Sequence, residues 1–273
     1  GELGGRELVL RYGTGAGEDA AVQAGAALVD TSFREWVRVT GPDRVSFLHG
    51  MVTQDVEGLA DDTVADAALL TAKGAMVSDA RLVRRTEELL LSVEPGFGGP
   101  VRDALNRYLV SEDAELSDAS AELGHLTLVG PTAEALASGA LALPAGEPGG
   151  RRLRRFAAGG TTAWALPQGL GLPGLDLLVP VAALQDVAER LLAAGAVPAG
   201  FEALELARIE HGTPRHGADM DEKTIPLEAN LGRALHYQKG CYIGQEVIAR
   251  ATFRGHVNRR LSGLSLEAPA APR

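Results

Sequence analysis

The sequence predicts an α+β protein made of two similarly built halves, and three observations carry that expectation. Residues 64–93 alternate and turn like an antiparallel meander. From Val181 onward, Val181, Leu184, Val187, Ala188, Leu191 and Leu192 recur at helical spacing and define one apolar face. A strand, a Gly-Pro pair, a helix, further strands and a proline-led helix occur in that order twice, once from Trp36 and once from Leu126.

Taken in order, residues 1–24 carry little periodicity, and Ala20 to Leu28 suit a short alanine-rich helix. Trp36-Val37-Arg38-Val39 alternates as a strand does. Gly41-Pro42 then opens a helix with Val45 and Leu48 on one face and Gly50 at its end. In the meander, Val64 to Leu70 runs to a turn at Lys73-Gly74, Met76 to Arg84 returns, and Thr86-Glu87-Glu88 turns the chain into Leu89 to Val93. Val101, Leu105 and Tyr108 mark a helix face after Pro100. The second half repeats the plan with a strand at Leu126 to Val129, a short helix after Gly130-Pro131, strands at 151–156, 161–166 and 175–179, and a helix after Pro180 that Gly195 ends. The Gly/Pro-rich stretch 141–150 reads as the linker, with a first half at 25–140 and a second at 151–250. Phe201 to Glu210 is a further helix, and 212–239 has the composition of a long loop, a feature that inside compact domains usually serves function. Alternation in Val257 to Leu266 suggests the first strand of a β-rich carboxyl-terminal segment, 251–273.

A net charge of −10 argues against a large nucleic-acid surface, so no direct nucleic-acid binding is expected. Arg151-Arg152-Leu153-Arg154-Arg155 reads as a solvated face, whereas Arg250, Arg254, His256, Arg259 and Arg260 could serve an anionic ligand or partner. Apolar runs are short, the mean hydropathy is +0.02, and no membrane span or secretory leader is expected. A single cysteine excludes an internal disulfide and fits a reducing, cytoplasmic setting. No His pair stands at zinc-ligand spacing with other ligands in reach, so no metal site is expected.

The densest cluster of reactive groups is Lys239-Gly240-Cys241-Tyr242-Ile243-Gly244-Gln245-Glu246. Gly240 and Gly244 permit positive φ and suggest a tight loop, and a helix start near Gly244 together with Lys239 would push the Cys241 thiol toward thiolate. The competing reading is a small buried hydrophobe.

This octapeptide resembles the signature of YgfZ-type folate-binding proteins, relatives of the aminomethyltransferase, or T-protein, of the glycine cleavage system. The likeness extends to residues 208–222 (Arg208-Ile209-Glu210-His211-Gly212 onward), to 225–231, and to Val39-Thr40-Gly41-Pro42-Asp43-Arg44 with Thr53-Gln54-Asp55-Val56 near the start. The resemblance implies a T-protein-like folate-binding fold with a shortened carboxyl-terminal β module. It implies tetrahydrofolate or a derivative between the halves, bounded by Asp79, Glu94, Arg208, Glu210 and His216. In that setting Asp79 matches the T-protein's aspartate near the reacting amine, and Arg208 would face a folate carboxylate or form a structural ion pair with Glu210. Glu94 and His216 replace an asparagine and a tyrosine of the T-protein, and its Tyr-Thr-Gly-Glu segment is missing at 170–176. These departures and the cysteine motif favour the YgfZ branch, which implies assistance to iron-sulfur proteins or assembly factors and, through them, to tRNA modification. A true aminomethyltransferase and a folate-independent scaffold are the alternatives.

Overall fold

The computed structural model describes residues 1–13, 15–147 and 150–264. After a small hairpin of β1 (Glu2–Leu3) and β2 (Arg6–Glu7), α1 (Ala16–Ala24) leads to β3 (Ala27–Asp30). The alanine-rich stretch is thus split: Gly25 stops the helix, and Ala27, Leu28 and Val29 are buried as a strand. There follow β4 (Glu35–Thr40), α2 (Arg44–Met51), β5 (Thr63–Leu70), β6 (Met76–Arg84), β7 (Leu89–Val93), α3 (Gly98–Asn106), β8 (Glu115–Asp118), β9 (Leu123–Val129) and α4 (Ala133–Leu141). The chain continues through β10 (Arg154–Ala158), β11 (Thr161–Pro167), β12 (Gly174–Pro180), α5 (Leu184–Ala193), β13 (Val197–Ala199), α6 (Phe201–His211) and α7 (Gln245–Phe253).

Two sheets result. One has the order β5-β6-β7-β4-β8 and is antiparallel throughout. The other runs β10-β11-β12-β9-β3-β13, with only β3 and β13 parallel. The meander forms as the alternation predicts, because each run is bounded by a turn that a glycine or charged residues can make. Gly74 supplies the left-handed φ of +77° at the first of these turns.

Sheet membership differs from the halves expected from sequence. β3, β9 and α4 precede residue 141 yet belong to the second sheet and its core, so the chain enters the second sheet, leaves it to build the first, and returns. α2 and α4 each follow a Gly-Pro pair, Gly41-Pro42 and Gly130-Pro131, and the stretch 141–150 lies between α4 and β10 of the same sheet. Pro148 and Gly149 of that stretch lie outside the described residues.

Three smaller expectations change. Tyr108 lies beyond the end of α3 and is exposed, while Val101 and Leu105 are buried. Val181 forms a 3-10 turn ahead of α5 and is exposed. Residues 257–264 form no strand, and Ser265 and Leu266 of the expected strand lie outside the described residues. No helix among the described residues is long and apolar enough to cross a membrane.

The sheets pack face to face through a shared apolar cluster, in which Trp36, Val64, Val83 and Leu90 of the first meet Leu123, Trp164, Leu166 and Leu178 of the second. The long segment 212–239 folds as ordered turns over one end of the first sheet, where Met220, Ala229, Leu231, Ala234 and Leu235 pack with Ala68, Leu70 and Met76.

Candidate functional site

A cavity enclosing about 1100 Å³ of atom-free space, including its open mouth, lies between the two sheets. Its walls follow from strand periodicity, since residues two apart share a face. On β6 that places Asp79 and Arg81 on the cavity side. Across the first sheet, register sets Asp66, Arg81, Ser92 and Trp36 side by side on four neighbouring strands, and all four line the cavity. The second sheet contributes a matching row of Leu166, Asp176 and Thr127, with His125 two residues before Thr127.

Charge in the cavity is balanced by pairing. Arg81 donates to Asp66 Oδ1 at 3.0 Å and to the Pro167 carbonyl at 2.6 Å, which ties the sheets together. Arg34 donates to Ser92 Oγ at 2.8 Å and forms an ion pair with Glu94 Oε1. Glu94 is 6% exposed, its Oε2 has no hydrogen-bond partner, and Arg215 Nη1 stands 3.7 Å away. Asp79 is half-buried on the cavity wall; burial, reinforced by the Glu94 carboxylate, pushes its carboxyl up to about 7, with Arg34 opposing. An acid poised there exchanges a proton near neutral pH.

The expected residues divide into three groups. Asp79, Glu94 and Arg208 do line the cavity. Arg208, however, is 4% exposed and spends its guanidinium on Glu205, on Asp219 Oδ2 at 2.5 Å and on the Thr213 carbonyl at 3.1 Å. Its ion-pair reading is therefore the one the geometry takes, with Glu205 rather than Glu210 as partner. Glu210 is exposed on the outer side of α6 and does not line the cavity. His216 stands one layer behind the wall, 2% exposed, edge-on to Phe97 at 4.4 Å, with Nδ1 unpartnered and its pKa lowered by burial.

The cysteine motif lies outside the cavity. Cys241 is exposed. Lys239 does not serve as its activating cation, because the ammonium donates to the carbonyls of His49, of Val52 at 2.7 Å and of Gln54 at 2.9 Å. Burial in that nest lowers the Lys239 pKa to about 8. Of the two glycines, Gly244 has positive φ, +81°, and Gly240 does not. A Cβ on Gly244 would stand 2.6 Å from the Thr71 carbonyl oxygen, so this glycine is what lets the motif dock on the β5–β6 turn. Tyr242 packs into the apolar cluster there, its hydroxyl pKa pushed up to about 12 by burial. Gln245 opens α7, and exposed Glu246 accepts from Arg250 at 2.6 Å.

Sequence reasoning missed Arg34, Asp66, Arg81, His125, Thr127, Asp176 and Arg215. Part of the signal was present: His125 and Thr127 interrupt the apolar strand Leu123–Val129, and Asp176 interrupts Gly174–Pro180. Buried polar side chains in such strands need partners, and partners facing one another across a cavity mark a site.

The GCVT N-terminal domain model matches residues 2–239. The chain belongs to that family. Among relatives, an aminomethyltransferase of Rubrobacter xylanophilus is 31% identical over 268 residues, covering 97% of this chain and 72% of its own length. A chloroplastic protein of Arabidopsis thaliana named as a transferase is 30% identical over 260 residues; the match covers 93% of this chain and spans 60% of that relative. The crystal structure of glycine cleavage system aminomethyltransferase T from Bartonella henselae superposes with a TM-score of 0.83 at 23% identity, covering 94% of this chain and 71% of that one, a likeness of fold. Membership in the GCVT family agrees with the mixed α+β architecture and two sheets described above.

Proposed function

We propose that the cavity binds tetrahydrofolate or a derivative, and that the exposed Cys241 serves a partner on a separate surface. The observation that carries the first part is the buried, unpartnered Glu94 Oε2 beside Asp79. A reduced pterin offers N–H donors on a flat ring, and this chain supplies carboxylate acceptors between the apolar side chains Phe33, Trp36, Leu166 and Phe201. Arg233, half-exposed and 3.4 Å from Asp66, is the cation at the wall better placed for a ligand carboxylate than the committed Arg208. Tetrahydrofolate supplies one-carbon chemistry at its ring nitrogens; the chain's part is to orient the ring, exclude water and hold or release a proton at the Asp79 carboxyl.

The second part follows the YgfZ-type signature: assistance to iron-sulfur enzymes, and through them to tRNA modification, by contact between Cys241 and a cluster, sulfur species or thiol of a partner. One cysteine does not hold a cluster alone, since clusters usually take about four thiolates. The thiol is exposed, and Tyr237, four residues before it, is exposed and packed edge to face at 6.1 Å on the exposed Phe253 of α7, a pairing that suits partner contact. An aminomethyltransferase activity is the second reading, and the poised Asp79 favours it.

Calorimetric titration with tetrahydrofolate separates these parts. Glu94→Gln is expected to weaken binding about tenfold, about 1.4 kcal/mol, while Cys241→Ser leaves it unchanged. The absence of binding at millimolar ligand would sink the folate reading and leave a partner scaffold. Full support of iron-sulfur enzyme activity in cells by Cys241→Ser would remove the second part. Turnover with an aminomethyl-carrying lipoyl protein would establish the transferase.

A further inference from the structure

The wall contributed by the second sheet holds a polar chain that the folate reading does not use. Asp176, 6% exposed, accepts from the Gly169 amide through Oδ2 at 2.8 Å and from the Thr127 hydroxyl through Oδ1 at 2.9 Å. Thr127 Oγ1 lies 3.1 Å from Thr31 Oγ1, and Thr31 Oγ1 lies 2.7 Å from His125 Nδ1 and 3.1 Å from the His125 carbonyl oxygen. Thr31, His125 and Thr127 are all at least nine-tenths buried.

Proton count fixes the direction of this chain. The carboxylate accepts only, so the Thr127 proton goes to Asp176 and Thr127 Oγ1 is free to accept. Thr31 has a single proton; giving it to Thr127 Oγ1 is the assignment that places a proton in all three side-chain contacts, and the Thr31 oxygen then accepts from His125 Nδ1–H. The imidazole is left as the Nδ1–H tautomer with a lone pair on Nε2. Trp36 holds the ring edge to face at 5.7 Å. The ring lines the cavity, Nε2 has no hydrogen bond within the described residues, and it is not among the sealed unpartnered atoms, so it opens on the cavity.

We propose that His125 is a ligand-contacting residue whose Nε2 accepts a hydrogen bond from an N–H or O–H of the molecule bound in the cavity, with Thr31, Thr127 and Asp176 as the positioning residues that set its tautomer. Burial pushes the His125 pKa down to about 4, against the pull of Asp176, which keeps the ring neutral and Nε2 an acceptor at physiological pH. The inference rests on the cavity being the folate site and assigns it a second recognition point opposite the Asp79 and Glu94 wall.

Nitrogen-15 NMR of histidine-labelled protein reads the tautomer directly. An unprotonated Nε2 resonance and a protonated Nδ1 for His125 are expected, with Asp176→Asn or Thr127→Val shifting the balance toward Nε2–H. An Nε2–H tautomer in the unaltered protein overturns the proposal without any folding question arising. Added tetrahydrofolate should move the Nε2 resonance, and His125→Leu should weaken binding about tenfold in calorimetry. Unchanged binding by His125→Leu, when the unaltered protein binds, overturns this inference alone. If the unaltered protein does not bind, the folate reading fails, and the ligand contact inferred here fails with it.

Discussion

Asp79 shows how one residue's surroundings decide its chemistry. An ordinary aspartate titrates near ~3.9, and this one is held up to about 7 by burial and by Glu94. Between those values the folded protein keeps a proton that the unfolded chain releases, so stability falls as pH rises through that window, and at lower pH the burdened ionised form is absent. Asp79→Asn, which mimics the protonated acid at all pH values, should therefore match the parent near pH 4 and exceed it by on the order of 4 kcal/mol at pH 8. Denaturant midpoints at pH 4, 6 and 8 measure the difference; an offset that does not vary with pH would mean the carboxyl is ionised throughout. Asp79 was legible in the sequence because a motif singles it out. Glu94 was named beside it by resemblance, but its counter-charges Arg34 and Arg215 were not legible, because they come from the bend before β4 and from the long segment after α6, and only folding brings them to Glu94.

Among the elements, the local ones were the most legible. The meander strands start and end within a residue of the turns that the sequence marks, because hairpin register is a short-range property. β3 and β13 were missed: each is four residues or fewer and takes its strand conformation from neighbours far away in sequence. The cysteine motif was legible as a unit and misread in its parts. Lys239 pins the segment to the turn after α2, and Gly244 seats it against the β5–β6 turn, where Gly74 in return leaves room for Val247. Gly244→Ala meets both a left-handed φ and a Cβ contact of 2.6 Å with the Thr71 carbonyl oxygen. The expected loss is about 2 kcal/mol or more, combining backbone strain with overpacking. Hydrogen exchange should show it as faster exchange of α7 amides while β9 and β12 keep their protection; unchanged α7 exchange would mean that the motif is held by other contacts.

At the scale of the molecule, the order in which the chain visits the sheets matters more than the resemblance between its halves. β3 lies between β9 and β13 in the second sheet although it precedes every strand of the first, so the first sheet is one continuous piece of chain, 35–118, and the second cannot be completed until the chain returns from it. Cross-sheet bonds add to this: the Val64 amide donates to the Arg151 carbonyl and the Leu153 amide to the Asp62 carbonyl, both at 2.8 Å, and Arg81 reaches Pro167 across the cavity. Two halves tied in this way should unfold together. The tryptophans test it, because Trp36 is in β4 of the first sheet and Trp164 in β11 of the second. In Trp164→Phe the remaining fluorescence reports the first sheet, in Trp36→Phe the second, and in each variant the fluorescence and far-UV circular dichroism transitions should superimpose. A ligand seated between the sheets binds only when both are folded. Tetrahydrofolate at a hundredfold excess over its Kd should therefore raise stability by about 2.7 kcal/mol by both probes alike. A fluorescence transition that precedes the circular dichroism change in one variant, and that the ligand leaves where it is, would mean that one sheet melts alone and that the cavity does not depend on it.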